Sequence, residues 1–196
     1  NISKLVFSST AATYGEPEVI PITEDAKPKP TSPYGTTKLA VDQMITDEAK
    51  SGLAAISLRY FNVAGAYKSK TGWLAERHNP ETHLIPNLLR STAENPLKIF
   101  GDNWPTKDGT CIRDYIHVRD LADSHIAALK RVENSMVHEV YNVGSGSGYS
   151  VQEMMDQISE SMNKKLNPIH APRRAGDIPQ LIASISKIER DLGWKP

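Results

Sequence analysis

The sequence predicts an α/β fold built on a parallel sheet, and three observations carry that reading. Residues 4–8 (Lys-Leu-Val-Phe-Ser) form a short apolar run that ends in small hydroxyl residues. Apolar residues at successive positions read as a strand buried on both faces. Ser32-Pro33 places an N-cap residue before a proline suited to the first helical turn. Leu39, Val41, Met44 and Ile45 carry an amphipathic helix on toward Ser51-Gly52, and residues 54–59 (Ala-Ala-Ile-Ser-Leu-Arg) give the next strand. Strand, helix, strand is a βαβ unit, whose crossover makes its two strands parallel.

The rest of the chain continues in mixed elements. A proline-rich loop covers residues 15–33, and residues 67–83 read as polar and irregular. Residues 84–93 suggest a helix, while residues 97–100 and 115–118 suggest short strands. Asp120 opens a helix with Leu121, Ala122, Ile126 and Leu129 on one face. Residues 140–143 are apolar and run into Gly144-Ser145-Gly146-Ser147-Gly148, a turn between strand and helix. Ser150-x-x-Glu153 and Ser186-x-x-Glu189 each have the form of a capping box, the second helix closing near Gly193. No internal repeat is present.

Composition narrows the function classes. The 196 residues suffice for one medium domain or two small ones, and 39% are hydrophobic. Lys plus Arg and Asp plus Glu number 23 each, so the formal net charge is zero, against a general nucleic-acid binder. The single cysteine, Cys111, cannot form an internal disulfide, which fits a cytoplasmic protein. No apolar run approaches the roughly 20 residues of a membrane span.

Tyr34-Gly-Thr-Thr-Lys38 is the first motif with chemistry: tyrosine and lysine at i and i+4 share a helix face. A free phenol titrates near ~10 and is a weak base at neutral pH, but a neighbouring ammonium stabilises the phenolate. Ser8-Ser9-Thr10 sits at the carboxyl end of the first strand, where open α/β sheets place ligands. The next strand ends in Arg59-Tyr-Phe-Asn-Val-Ala-Gly65. Hydroxyls, the Tyr/Lys pair and an aromatic-amide cluster therefore gather at one edge of the sheet. Arg113 and Arg174 carry the planar fork that suits phosphate oxygens, and no metal is read from the sequence.

With these motifs in view, the chain resembles the extended short-chain dehydrogenase/reductase family and, within it, the nucleotide-sugar 4-epimerases. The matching stretches include Phe7-Ser-Ser-Thr-Ala-Ala-Thr-Tyr-Gly15, Ser32-Pro-Tyr-Gly-Thr-Thr-Lys38, Arg59–Gly65, Ile99-Phe-Gly101, residues 108–118 and Ala171-Pro-Arg-Arg-Ala-Gly-Asp177. The resemblance implies the C-terminal part of a Rossmann-like doubly wound parallel sheet plus a smaller mixed α/β substrate domain. Residues 1–66 would be the second half of the NAD-binding domain. Residues 67–196 would be mainly the UDP-sugar domain, returning to the sheet at about 110–145. It implies NAD-dependent interconversion of UDP-glucose and UDP-galactose by C4 oxidation, rotation of the 4-keto sugar and re-reduction.

Residue by residue, the resemblance gives Tyr34 the role of base, Lys38 that of its tuner and ribose ligand, and Thr10 that of proton shuttle at the sugar O4. Ser8, Ser9, Tyr60 and Phe61 would join Tyr34 and Lys38 at the cofactor. Asn62 would hold the diphosphate region, and His83 and Leu84 the nucleotide. Lys98, Ile99 and Phe100 would lie along the uracil, and Arg113, Arg174 and Asp177 would clamp the diphosphate and a ribose hydroxyl. Leu181 stands at the family's pocket gate, which leaves UDP-N-acetylglucosamine open as a substrate. Related dehydratases and decarboxylases have acidic residues where Ala11 and Ala12 stand, and alanine neither donates nor accepts a proton.

The chain contains no G-x-G-x-x-G fingerprint. It starts at Asn1 and stops just after a helical pattern, at Pro196. These features lead to the expectation of a protein cut at both ends and poorly active by itself, and the resemblance implies that its parent is a homodimer. A UDP-sugar-binding module without turnover is the alternative.

Overall fold

The structure, a computed structural model, describes residues 2–133 and 137–196; Asn1 lies outside the described residues. It is a mixed α/β fold with parallel sheets, as the sequence predicts. In chain order, β1 (Lys4–Thr10) runs into a 3-10 turn, Ala11–Thr13, and a long loop leads to α1 (Pro33–Ala49). β2 (Ala54–Tyr60) returns parallel to β1, in register from Lys4 opposite Ala54 to Thr10 opposite Tyr60. The helix starts where expected: the Ser32 hydroxyl accepts the Gly35 N–H at 3.1 Å, with Pro33 in the first turn.

β3 (Asn62–Ala64) follows directly, then β4 (Tyr67–Ser69) and β5 (Gly72–Leu74), α2 (Leu84–Arg90) and β6 (Lys98–Phe100). β7 (Ile112–His117), α3 (Val118–Val132) and β8 (His138–Val143) complete the middle of the chain. β9 (Gly148–Ser150), α4 (Val151–Ser161), β10 (Ile169–Ala171), β11 (Gln180–Leu181) and α5 (Ser186–Leu192) close it. The sheet β1-β2-β8 is all parallel. A second sheet has the order β11-β7-β3, with β9 antiparallel to β7; β10-β6 and β4-β5 form pairs. No helix among the described residues is long and apolar enough to cross a membrane.

Adjacent strand residues identify the layers. The Ser8 hydroxyl meets His125 Nε2 of α3 at 3.2 Å, and the Ser9 hydroxyl donates to Asp42 of α1 at 3.1 Å. Successive side chains of a strand point to opposite faces, so α1 and α3 cover opposite faces of the sheet. The core there joins Ile56, Leu58, Ile116, Tyr141 and Val143 to Ala128, Val132 and Ile188 of the helices. A second core, Leu88, Leu97, Ile99, Met155 and Leu166, lies between α2, α4 and β6.

Several expectations are corrected. The inward stripe of α1 is Gly35, Asp42 and Ile45, and Met44 is 66% exposed. In α3 the inward residues are Ser124, Ala128 and Val132, while Ile126 and Leu129 face out. Small side chains let the helix backbone approach the sheet. Asp42 is buried because Arg59 Nε and NH2 both bond its Oδ2, at 3.1 and 3.0 Å. α3 begins at Val118 rather than Asp120, because His117 Nδ1 caps the Arg119 N–H at 3.2 Å. The capping box at Ser150 and Glu153 forms. That at Ser186 does not: Ser186 is already helical, and the cap position falls to Ile185 without a side-chain bond. The segment read as irregular contains the β4-β5 hairpin.

Candidate active site

Two cavities adjoin, the larger of them at the carboxyl ends of β1 and β2. The larger, about 990 Å³, is lined by Thr10, Tyr34, Tyr60, Phe61, Leu181 and their neighbours, a size that suits a cofactor or substrate. The smaller, about 180 Å³, is lined by Leu84, Lys98, Phe100, Arg174 and Asp177, among others. Asn62, His83 and Arg113 line both, so they form the junction.

The catalytic pair is placed by close packing. Thr10 ends β1, caps the 3-10 turn by accepting the Ala12 N–H at 3.2 Å, and is 8% exposed. The first turn of α1 presses on that turn at Gly35, where a Cβ would stand 2.4 Å from the Ala12 carbonyl oxygen. Only a residue without a side chain lets Tyr34 reach the cavity from this side. One turn later, Lys38 Nζ donates to the Ser8 carbonyl at 2.9 Å and stands 5.8 Å from the Tyr34 ring centre. The i, i+4 spacing thus places the ammonium beside the phenol, whose residue is 53% exposed.

Ser8 and Ser9 are placed differently from the expectation. Neither lines the cavity; their hydroxyls are taken by His125 and Asp42, and Ser9 is fully buried. Phe61 is largely buried, its neighbours being Ala11, Tyr14, Ile22 and Ala183. Ile99 lines the smaller cavity, but its side chain is a core group, 2% exposed.

The arginine set forms a cationic corner. Arg113 NH1 donates to the carbonyls of Ile112 and Ile178, each at 2.9 Å, which fixes the guanidinium. Its NH2 lies 4.0 Å from Asp177 Oδ1, and Arg174 Nε donates to Asp177 Oδ2 at 3.0 Å. The Arg174 guanidinium also stacks on Phe100, 4.6 Å from the ring centre. Two arginines share one carboxylate, which leaves positive charge for an anion. Arg173 turns instead to Asn103 and stacks on Trp104 at 3.9 Å. Burial pushes the phenol of Tyr115, which lines the smaller cavity, up to about 12.

Glu76, His78 and Glu81, from a stretch without hydrophobic pattern, gather with His83, and all but Glu81 line the large cavity. The signal was the spacing E-x-H-x-x-E-x-H inside a stretch read only as polar. The His83 N–H, bonded to Glu81 Oε1 at 2.9 Å, holds that carboxyl below its ordinary value.

The chain is 52% identical over its whole length to a UDP-glucose 4-epimerase of Corynebacterium glutamicum, and covers 59% of that protein. A UDP-glucose 4-epimerase structure from Stenotrophomonas maltophila, with bound NAD and formylated UDP-arabinopyranose, superposes with a TM-score of 0.91 at 38% identity. The match covers 98% of this chain and 58% of that one. The Bifidobacterium longum UDP-glucose 4-epimerase in complex with NAD+ and UDP gives 0.89 at 37% identity, covering 98% of this chain and 58% of its own. This chain therefore spans a little under three-fifths of the relatives it matches. The pattern of the NAD dependent epimerase/dehydratase family matches residues 1–144, and the chain belongs to that family.

Proposed function

We propose that this chain forms the catalytic and sugar-nucleotide-binding part of an NAD-dependent epimerase that interconverts UDP-glucose and UDP-galactose. The observation that carries the reading is the junction of the two cavities at Asn62, His83 and Arg113. It supports a sugar beside Tyr34 and Thr10, a diphosphate at the junction, and uridine along Lys98 and Phe100. Arg113 and Arg174 neutralise the diphosphate, and Leu181 borders the sugar.

The residues fit the nicotinamide end of NAD: Tyr60 and Phe61 line the cavity, and the Lys38 ammonium, which donates to the Ser8 carbonyl, has two further hydrogens to donate. NAD, when bound, supplies the hydride acceptor and donor for the sugar C4. Tyr34 takes the proton from the sugar O4 and later returns it, Lys38 stabilises the phenolate, and Thr10 orients the hydroxyl. Ala11 and Ala12 offer no acid or base for eliminating water. Residues 1–66 and 67–196 act as the two parts described above. A homodimer in the cytoplasm, and acceptance of UDP-N-acetylglucosamine past Leu181, belong to the same proposal.

The test is conversion of UDP-galactose to UDP-glucose by a protein of full family length carrying this chain. No conversion, with UDP bound, would sink the reading. For the 196 residues by themselves, the lack of a glycine-rich pyrophosphate loop favours the binding-module reading. Calorimetry should then find UDP binding, with NAD binding weak or absent.

A further inference from the structure

Beyond the nucleotide-sugar chemistry, four side chains between β5 and α2 have the composition of a transition-metal site. Glu76, His78, Glu81 and His83 each bring one ligand atom, and all four atoms lie within 4.8 Å of one another. His78 Nδ1 is 3.1 Å from Glu76 Oε1 and 4.0 Å from Glu81 Oε1. His83 Nδ1 is 2.9 Å from both carboxylates, and the two imidazoles are 4.6 Å apart between centres. Four ligands at zinc bond lengths of ~2.0–2.2 Å stand roughly 3.3–3.6 Å from one another in a tetrahedron. The present spacings bracket that value, and the two histidines are about half exposed, so small side-chain rotations close the set.

A second observation points the same way. The Glu81 side chain is 6% exposed, and its Oε2 accepts no hydrogen bond; Arg90 NH1 stands 3.9 Å from it. Its Oε1 is aimed at the histidines by the N–H groups of Thr82 and His83, both at 2.9 Å. Two carboxylates and two neutral imidazoles carry a charge of two minus, which a divalent cation balances. Imidazole with carboxylate suits zinc, cobalt or nickel; magnesium and calcium prefer all-oxygen sets.

We propose that Glu76, His78, Glu81 and His83 bind one divalent transition metal of the zinc class, pinning residues 76–83 to the start of α2. Glu76, His78 and His83 line the large cavity, so the ion stabilises the wall that separates it from the smaller one.

The test is titration of the untagged, chelator-treated chain with zinc and, separately, with cobalt. The expected result is one equivalent per chain, a raised Tm, and the intense visible bands of four-coordinate cobalt. Magnesium in large excess should not compete. His78→Ala and Glu81→Gln should each weaken zinc binding at least ~100-fold, more than the loss of an outer partner brings. No zinc binding, or binding undiminished in both variants, overturns the proposal. If a variant fails to fold by circular dichroism, the cobalt spectrum of the unaltered chain decides: the weak bands of a six-coordinate aqua ion overturn it.

Discussion

Asp114 is the residue whose loss should cost the fold most for the smallest change of shape. It is fully buried on β7. Its Oδ1 accepts the Ser145 N–H at 2.6 Å and the Ser145 hydroxyl at 2.7 Å. Its Oδ2 accepts the N–H groups of Gly146 at 3.0 Å and Ala183 at 3.1 Å. The carboxylate thus ties β7, which carries Arg113, to the turn after β8 and to the segment that follows β11. It also explains Gly144, where a Cβ would stand 2.5 Å from Oδ2. In Asp114→Asn the amide oxygen can serve Gly146 and Ala183, and its NH2 can donate to the Ser145 hydroxyl. The Ser145 N–H is then left facing a donor. One orphaned buried donor costs ~1–3 kcal/mol, and loss of charge from the remaining bonds adds a comparable amount, giving about 3 kcal/mol in all. With a urea slope of about 2 kcal/mol/M, the unfolding midpoint should fall by about 1.5 M at unchanged slope. A fall under ~0.5 M would refute the claim that this carboxylate holds the three segments together.

Other consequences are as direct. Arg174→Ala should weaken UDP about 10- to 150-fold by calorimetry, the equivalent of ~1.5–3 kcal/mol for a bond to a charged group. Uridine should lose much less, and equal losses would place Arg174 away from the phosphates. His138 bridges the Thr46 and Ser57 hydroxyls, both at 2.8 Å, and burial lowers its pKa, with Arg59 and Lys187 acting in the same direction against Asp42. The unfolded chain therefore binds a proton that the folded one refuses. The contribution is fully present above about 6.5 and falls by up to ~1.4 kcal/mol per pH unit as pH drops from there toward the depressed folded value. His138→Gln should flatten that slope in urea titrations at several pH values; an unchanged slope contradicts the assignment.

The parts legible in the sequence were those with long periods or strong caps. Residues 4–8 and 54–59 were apolar enough to read as strands, and Ser32-Pro33 fixed the start of α1. The faces of α1 and α3 were misread because their inward positions hold Gly35, Ala128, Asp42 and Ser124, small residues and paired polar groups that carry little hydrophobic signal. The β4-β5 hairpin left no alternation to find, since its residues are nearly all exposed. β9, β10 and β11 have two or three residues each, too few to display a period of two. At the site, Tyr34, Lys38, Thr10 and the arginines were recognisable by chemical type and order. The partners of Ser8 and Ser9 were not, because His125 and Asp42 reach them only through tertiary packing.

The central claim is that Tyr34 exchanges the proton at the sugar O4 without holding the nucleotide. The most direct measurement compares Tyr34→Phe with the unaltered protein of full family length, following UDP-galactose conversion and UDP affinity together. The account predicts turnover lower by at least ~10²-fold, as for loss of a general base, with UDP affinity unchanged within a factor of about two. Turnover close to that of the unaltered protein, or a loss that tracks weakened UDP binding, would contradict it.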